Sequence, residues 1–186
     1  MSDYSNTSPY KYTDKDMQII SELAYITYTD DMLGLTFSEI LSDDESYKEF
    51  TQQFLKGLDN PEVGTDPEKT TIWKKEVLEQ LKAGGKYSNW KLVGTSSNVD
   101  GFYAIMVETD PDNAVVAFRG TQMTEEPIQD LVLADLLLLN NAETLQQKSA
   151  RTYITNINEQ YSYSNYVVAG HSLGGNLAMH SPIKAA

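Results

Sequence analysis

Tyr166-Val167-Val168-Ala169-Gly170-His171-Ser172-Leu173-Gly174 is the stretch on which the reading of this chain turns. Four residues rich in β-branched and aromatic side chains run into Gly-x-Ser-x-Gly. A helical pattern carrying Leu177, Ala178 and Met179 follows, predicted over 174–184. A strand that turns abruptly into a helix at such a pentapeptide is the pattern of a nucleophile elbow, which holds a serine hydroxyl at the carboxyl end of the strand. The glycines have a steric task, because a Cβ at either flank of so tight a turn would collide with neighbouring backbone. The strand and helix on either side make this reading stronger than the bare pattern. The alternative is a plain strand-to-helix turn whose serine only caps the helix.

Working outward, a strand-like run Val115-Val116-Ala117-Phe118 precedes Arg119-Gly120-Thr121, some fifty residues before the elbow. Strands are predicted over 90–94, 102–108 and 114–119. Asp110-Pro111-Asp112-Asn113 is read as a turn between the last two, and 98–101 as a turn between the first two. A helix is expected over 142–161, with Leu145, Ala150, Tyr153, Ile154 and Ile157 inward. The first half reads as helices. Met17, Ile20, Leu23, Ala24 and Tyr28 share a face over 14–29, and Tyr47, Phe50, Phe54 and Leu58 share one over 43–58. Asp66-Pro67 opens a third helix that ends at Gly84-Gly85. Its Trp73, like the Tyr residues of this half, is read as core packing. Residues 1–13 read as a loose tail. The whole is an α/β fold, a sheet with crossover helices preceded by N-terminal helices, in one domain spanning 1–186 with the sheet core in 86–186.

Composition narrows the function. Hydrophobic content of 40% and charged content of 22% suit a globular domain able to bury about 70% of its unfolded surface. A net charge of −13 argues against nucleic acid and gives no attraction to anionic lipid. Without cysteine, disulfides, thiolate zinc sites and thiol catalysis are excluded. Two histidines rule out a His-rich metal site, and no metal or cofactor is expected. The longest apolar stretch, Leu131 to Leu139, is interrupted by Asp135 and falls far short of the roughly 20 residues that cross a bilayer. It is read as a buried helix or part of a mobile cover. With no signal-like apolar run at the N-terminus, the expected location is cytoplasmic.

Taken together, Phe118-Arg119-Gly120-Thr121 and Gly170-His171-Ser172-Leu173-Gly174-Gly175 resemble the class 3, fungal-lipase-like α/β-hydrolases, in an uncharacterised branch from Gram-positive bacteria. The resemblance covers roughly 102–179, and the branch's N-terminal helices would correspond to 14–85. It implies an α/β-hydrolase-like sheet and a lipase or esterase acting on acyl esters or lipids. Ser172 would be the nucleophile, and the N–H groups of Leu173 and Thr121 the oxyanion hole. Gly120 and His171 would stand beside the substrate, with Arg119 supporting the loop. Asp130 falls where that family also has an aspartate, while Glu126-Pro127 replaces its Asn-Trp pair.

The base is the difficulty. In this fold the triad runs Ser, then Asp or Glu, then His. After Ser172 there is no acidic residue, and the single histidine is His180. Eight residues along a helix place it about 12 Å away at 1.5 Å per residue, against about 3 Å for proton transfer. His171 is adjacent, but neighbouring side chains on such a turn point apart. The expectation is therefore a domain incomplete after the nucleophile helix and cut short at its C-terminus. An exposed sheet edge and an apolar groove should then lie beside the nucleophile's strand, the edge offering a route to self-association. The alternative is a hydrolase-fold remnant without catalysis, serving as an interaction module.

Overall fold

Local signals start each helix of the N-terminal half. The computed structural model describes residues 11–56, 66–96, 102–120, 145–171 and 173–180. Helix α1 (Asp14–Leu23) opens on a reciprocal cap, in which the Thr13 hydroxyl accepts from the Asp16 amide at 3.2 Å and the Asp16 carboxylate accepts from the Thr13 amide at 3.0 Å. The short α2 (Phe37–Ile40) repeats this with Thr36 and Glu39. Asp43 caps α3 (Asp44–Leu55), and Asp66 caps α4 (Pro67–Leu81) with proline in the first turn. Gly84, at φ +83, turns the chain away after α4.

The sheet follows: β1 (Lys91–Thr95), β2 (Ala104–Asp110), β3 (Asn113–Phe118) and β4 (Asn165–Gly170), in the order β1-β2-β3-β4. The first three strands are antiparallel neighbours, and β4 joins β3 in parallel. The Asp110 carboxylate organises the β2–β3 turn by accepting from the Asp112 amide and the Asn113 side chain. Helix α5 (Leu145–Gln160) precedes β4, and α6 (Leu173–His180) follows it. Parallel strands cannot be joined by a hairpin, so an intervening helix is the expected connection.

Strand alternation divides the core in two. Leu92, Ile105, Val107, Val115, Ala117 and Ala169 face α1 to α4, while Ala104, Met106, Val116 and Phe118 face Ala150, Ile154 and Ile157 of α5 and Leu177 of α6. Lys74, buried on α4, pairs with Glu22 at 3.1 Å and donates to the Phe54 carbonyl at 2.9 Å, tying three helices together.

Several boundaries differ from the sequence reading. Helix α1 stops at Leu23 instead of continuing to Thr29, because the chain folds back and the Tyr28 phenol donates to the Leu23 carbonyl at 3.0 Å. Residues 11–13 are not loose, since Tyr12 shares a hydrogen bond with Thr109 and Lys11 pairs with Asp110. The outer edge of β1 carries main chain from the segment before α2: Gly34 donates to Leu92, and Leu92 donates to Leu35. No periodicity announced that contact. Strand β4 has one strand neighbour among the described residues, β3. The turn at 98–101 and the apolar stretch 131–139 lie outside the described residues, as do Glu126, Pro127 and Asp130. Among the described residues, no helix is long and apolar enough to cross a membrane.

Asp16 carries a testable electrostatic contribution. Burial works to raise its pKa, but hydrogen bonds from Lys86 and Thr13 outweigh this and hold it at about 2. A carboxylate depressed from 3.8 stabilises the fold above its unfolded pKa and loses that contribution as pH falls through about 2. Asp16→Asn is expected to lose about 2 kcal/mol at pH 7 in urea unfolding. The difference from wild type should shrink steadily between pH 5 and pH 2.

Candidate functional site

The parallel pairing of β3 and β4 sets the site's geometry. Their register places Ala117 opposite Ala169 and Phe118 opposite Gly170, so both strands end at one level. Arg119-Gly120 therefore leaves β3 beside the point where Gly170-His171 leaves β4. The two corners meet through backbone. A Cβ built on Gly174 would lie 2.1 Å from the Phe118 carbonyl oxygen, and one on Gly170 would lie 2.3 Å from the carbonyl of Gly174. Real Cβ atoms do not approach so closely, and backbone on both sides cannot yield as a flexible side chain can. A Cβ on Gly120 would meet the His171 carbonyl oxygen at 2.6 Å and the Tyr25 phenol at 2.7 Å. The Gly174 amide donates to the His171 carbonyl at 3.0 Å, which closes the turn.

Supporting side chains lie behind this corner. Arg119 is buried, its guanidinium 4.6 Å from the centre of the Tyr103 ring, and burial lowers its pKa from the ordinary arginine value. Its amide donates to the Tyr103 carbonyl at 2.9 Å. Tyr25 was not singled out in the sequence analysis; its phenol accepts from the Gly120 amide at 3.2 Å across 95 residues of chain.

The candidate residues fall into two groups. Gly120, His171 and Leu173 are described; Gly120 packs on the His171 carbonyl, Leu173 is the first residue of α6, and His171 is exposed. Ser172 and Thr121 lie outside the described residues. His180 ends α6, one helix length from the elbow. Among the described residues, no cluster of His, Asp or Glu could hold a metal ion. A cleft of about 580 Å³ lies next to β1 and α5, lined by Gly94, Phe102, Tyr153 and Tyr161. None of the motif residues lines it.

A family model described as Mbeg1-like matches residues 86–186, more than half of the chain. The chain belongs to the Mbeg1-like family. This overturns the resemblance to the class 3 lipases, which is a different family, and with it the bacterial branch assigned above. The reason lies in what the two short motifs encode. Arg-Gly-Thr and Gly-x-Ser-x-Gly specify how two strand ends pack without Cβ atoms, and one backbone solution can serve separate families. The match begins at Lys86, so helices α1 to α4 stand outside it. No curated protein and no solved structure matches the chain.

Two glycine substitutions separate steric necessity from ordinary helix composition. Gly174→Ala is expected to cost about 3 kcal/mol or more in chemical unfolding, the upper end for forced overpacking. Gly175→Ala should stay within about 1 kcal/mol of wild type. Its Cβ would sit 3.2 Å from the Gly170 carbonyl oxygen, a mild crowding, and alanine's helix propensity offsets it.

Proposed function

We propose that Ser172 is the acyl-accepting nucleophile of a serine ester hydrolase and that this chain supplies its oxyanion donors. One observation carries this reading: the glycine-only contact between the end of β3 and the turn after β4. A cap for α6 would not need it, since a capping serine requires only a free helix N-terminus. Attack by the Ser172 oxygen on an ester carbonyl forms a tetrahedral alkoxide, and departure of the alcohol leaves an acyl-serine for water to hydrolyse. The N–H groups of Leu173 and Thr121 are the proposed donors to the alkoxide, where fixed dipoles typically contribute 100- to 1,000-fold in turnover.

No base for this chemistry is assigned within the 186 residues. After Ser172 the sequence has no Asp or Glu, and His180 sits at the far end of α6. The second reading, for a site in which no base reaches Ser172, is a module without catalysis. Removing the base from such a site costs on the order of a million-fold, leaving roughly 1,000- to 10,000-fold over water from the remaining machinery.

A diffusible base separates the two readings. With 4-nitrophenyl acetate and imidazole, the chain should show a component of ester cleavage absent from Ser172→Ala. The imidazole-dependent increment should be at least about tenfold over the rate without it. Mass spectrometry should place the acetyl group on Ser172. Equal imidazole dependence in the wild type and Ser172→Ala would select the silent module.

A further inference from the structure

We infer that Tyr25 is a positioning residue for the Gly120-Thr121 corner, an inference that rests on the nucleophile reading of Ser172. It assigns a part in the site to the N-terminal helices, which lie outside the residues matched by the family model.

Local structure puts Tyr25 in place. After α1 ends at Leu23, the Tyr25 amide donates to Glu22 and the Ile26 amide to Leu23, forming a tight turn. Ile26 and Tyr28 are buried in the core under β3 and β4. Ala24 and Ile26 on either side are buried, and the half-buried Tyr25 between them reaches the end of β3. There its phenol oxygen accepts the Gly120 N–H. The same oxygen and the His171 carbonyl crowd the position a Gly120 Cβ would take. One face of Gly120 is thus bounded by the N-terminal turn and by the elbow together.

This bears on catalysis through the peptide that follows. The Thr121 N–H shares a rigid plane with the Gly120 carbonyl, so its direction is set by the Gly120 dihedrals. Glycine is the residue with the widest choice of those dihedrals. The bond from its amide to the Tyr25 phenol fixes the Arg119–Gly120 peptide plane from which those dihedrals start, before substrate arrives. An oxyanion donor contributes most when its direction is already fixed.

The test compares wild type, Tyr25→Phe, Tyr12→Phe and Ser172→Ala in the imidazole-supported cleavage of 4-nitrophenyl acetate. Amide hydrogen exchange at Gly120 is followed alongside by NMR. Tyr25→Phe should lower the saturating Ser172-dependent rate about tenfold with KM unchanged, and it should speed Gly120 exchange. Tyr12→Phe removes a phenol hydrogen bond to Thr109, in the last part of β2, and should leave the rate unchanged. A folded Tyr25→Phe variant with the wild-type rate overturns the inference and leaves the nucleophile reading standing. Loss of rate accompanied by an equal change in KM also overturns it. Should Tyr25→Phe fail to fold, the wild type decides: slow Gly120 exchange supports the anchor, and exchange at the rate of an unprotected amide overturns it. A wild-type rate equal to that of Ser172→Ala removes the nucleophile reading and the inference together.

Discussion

Backbone meets backbone where β3 and β4 end, and the other features of the site follow from that contact. Gly120 and Gly174 occupy positions where a Cβ would overlap backbone of the opposite corner, and Gly170 one where it would overlap the backbone of its own turn. The contact exists because the strands are parallel and in register to their last pair, Phe118 with Gly170. An antiparallel partner would bring the opposite end of its strand to this level. Parallel pairing thus sets the direction, and glycine permits the distance.

The helices at the front of the chain belong to the same construction. Their apolar faces share one core with Val115 and Ala117 of β3 and Ala169 of β4. The cap at Thr13 and Asp16, joined to Lys86, fixes where α1 starts. The Tyr28 phenol on the Leu23 carbonyl marks where it stops. Both ends being defined, Tyr25, two residues after the helix, reaches the Gly120 amide at a definite position. A family match that begins at Lys86 therefore describes the sheet but only part of the corner's surroundings.

Legibility varied with the range of the interaction involved. Asp43 and Asp66 were readable as helix starts because a cap needs only the next three residues. The Asp110 to Asn113 turn was readable for the same reason. Residues 14–29 misled, since the apolar spacing through Tyr28 continues past a helix that ends at Leu23. Tyr28 is buried as the pattern required, but it packs from a turn. The docking of Tyr12 on Thr109 and of residues 34–37 on β1 spans long stretches of chain and has no periodic signature. Family membership misled in another way: Phe118 to Thr121 and Gly170 to Gly175 reported a packing geometry, and the match over 86–186 assigned it elsewhere.

What the amino-acid order determined alone was local. It specified where helices are capped, which strands alternate, and that glycine flanks the one serine set between a strand and a helix. Each of these depends on neighbours within a few residues, so a linear reading reaches them. Tertiary structure decided that two glycine corners 50 residues apart close on each other. It also decided that a tyrosine 95 residues from Gly120 accepts its amide hydrogen. Those contacts depend on strand direction, register and a shared core, which are properties of the assembled sheet and of no segment within it.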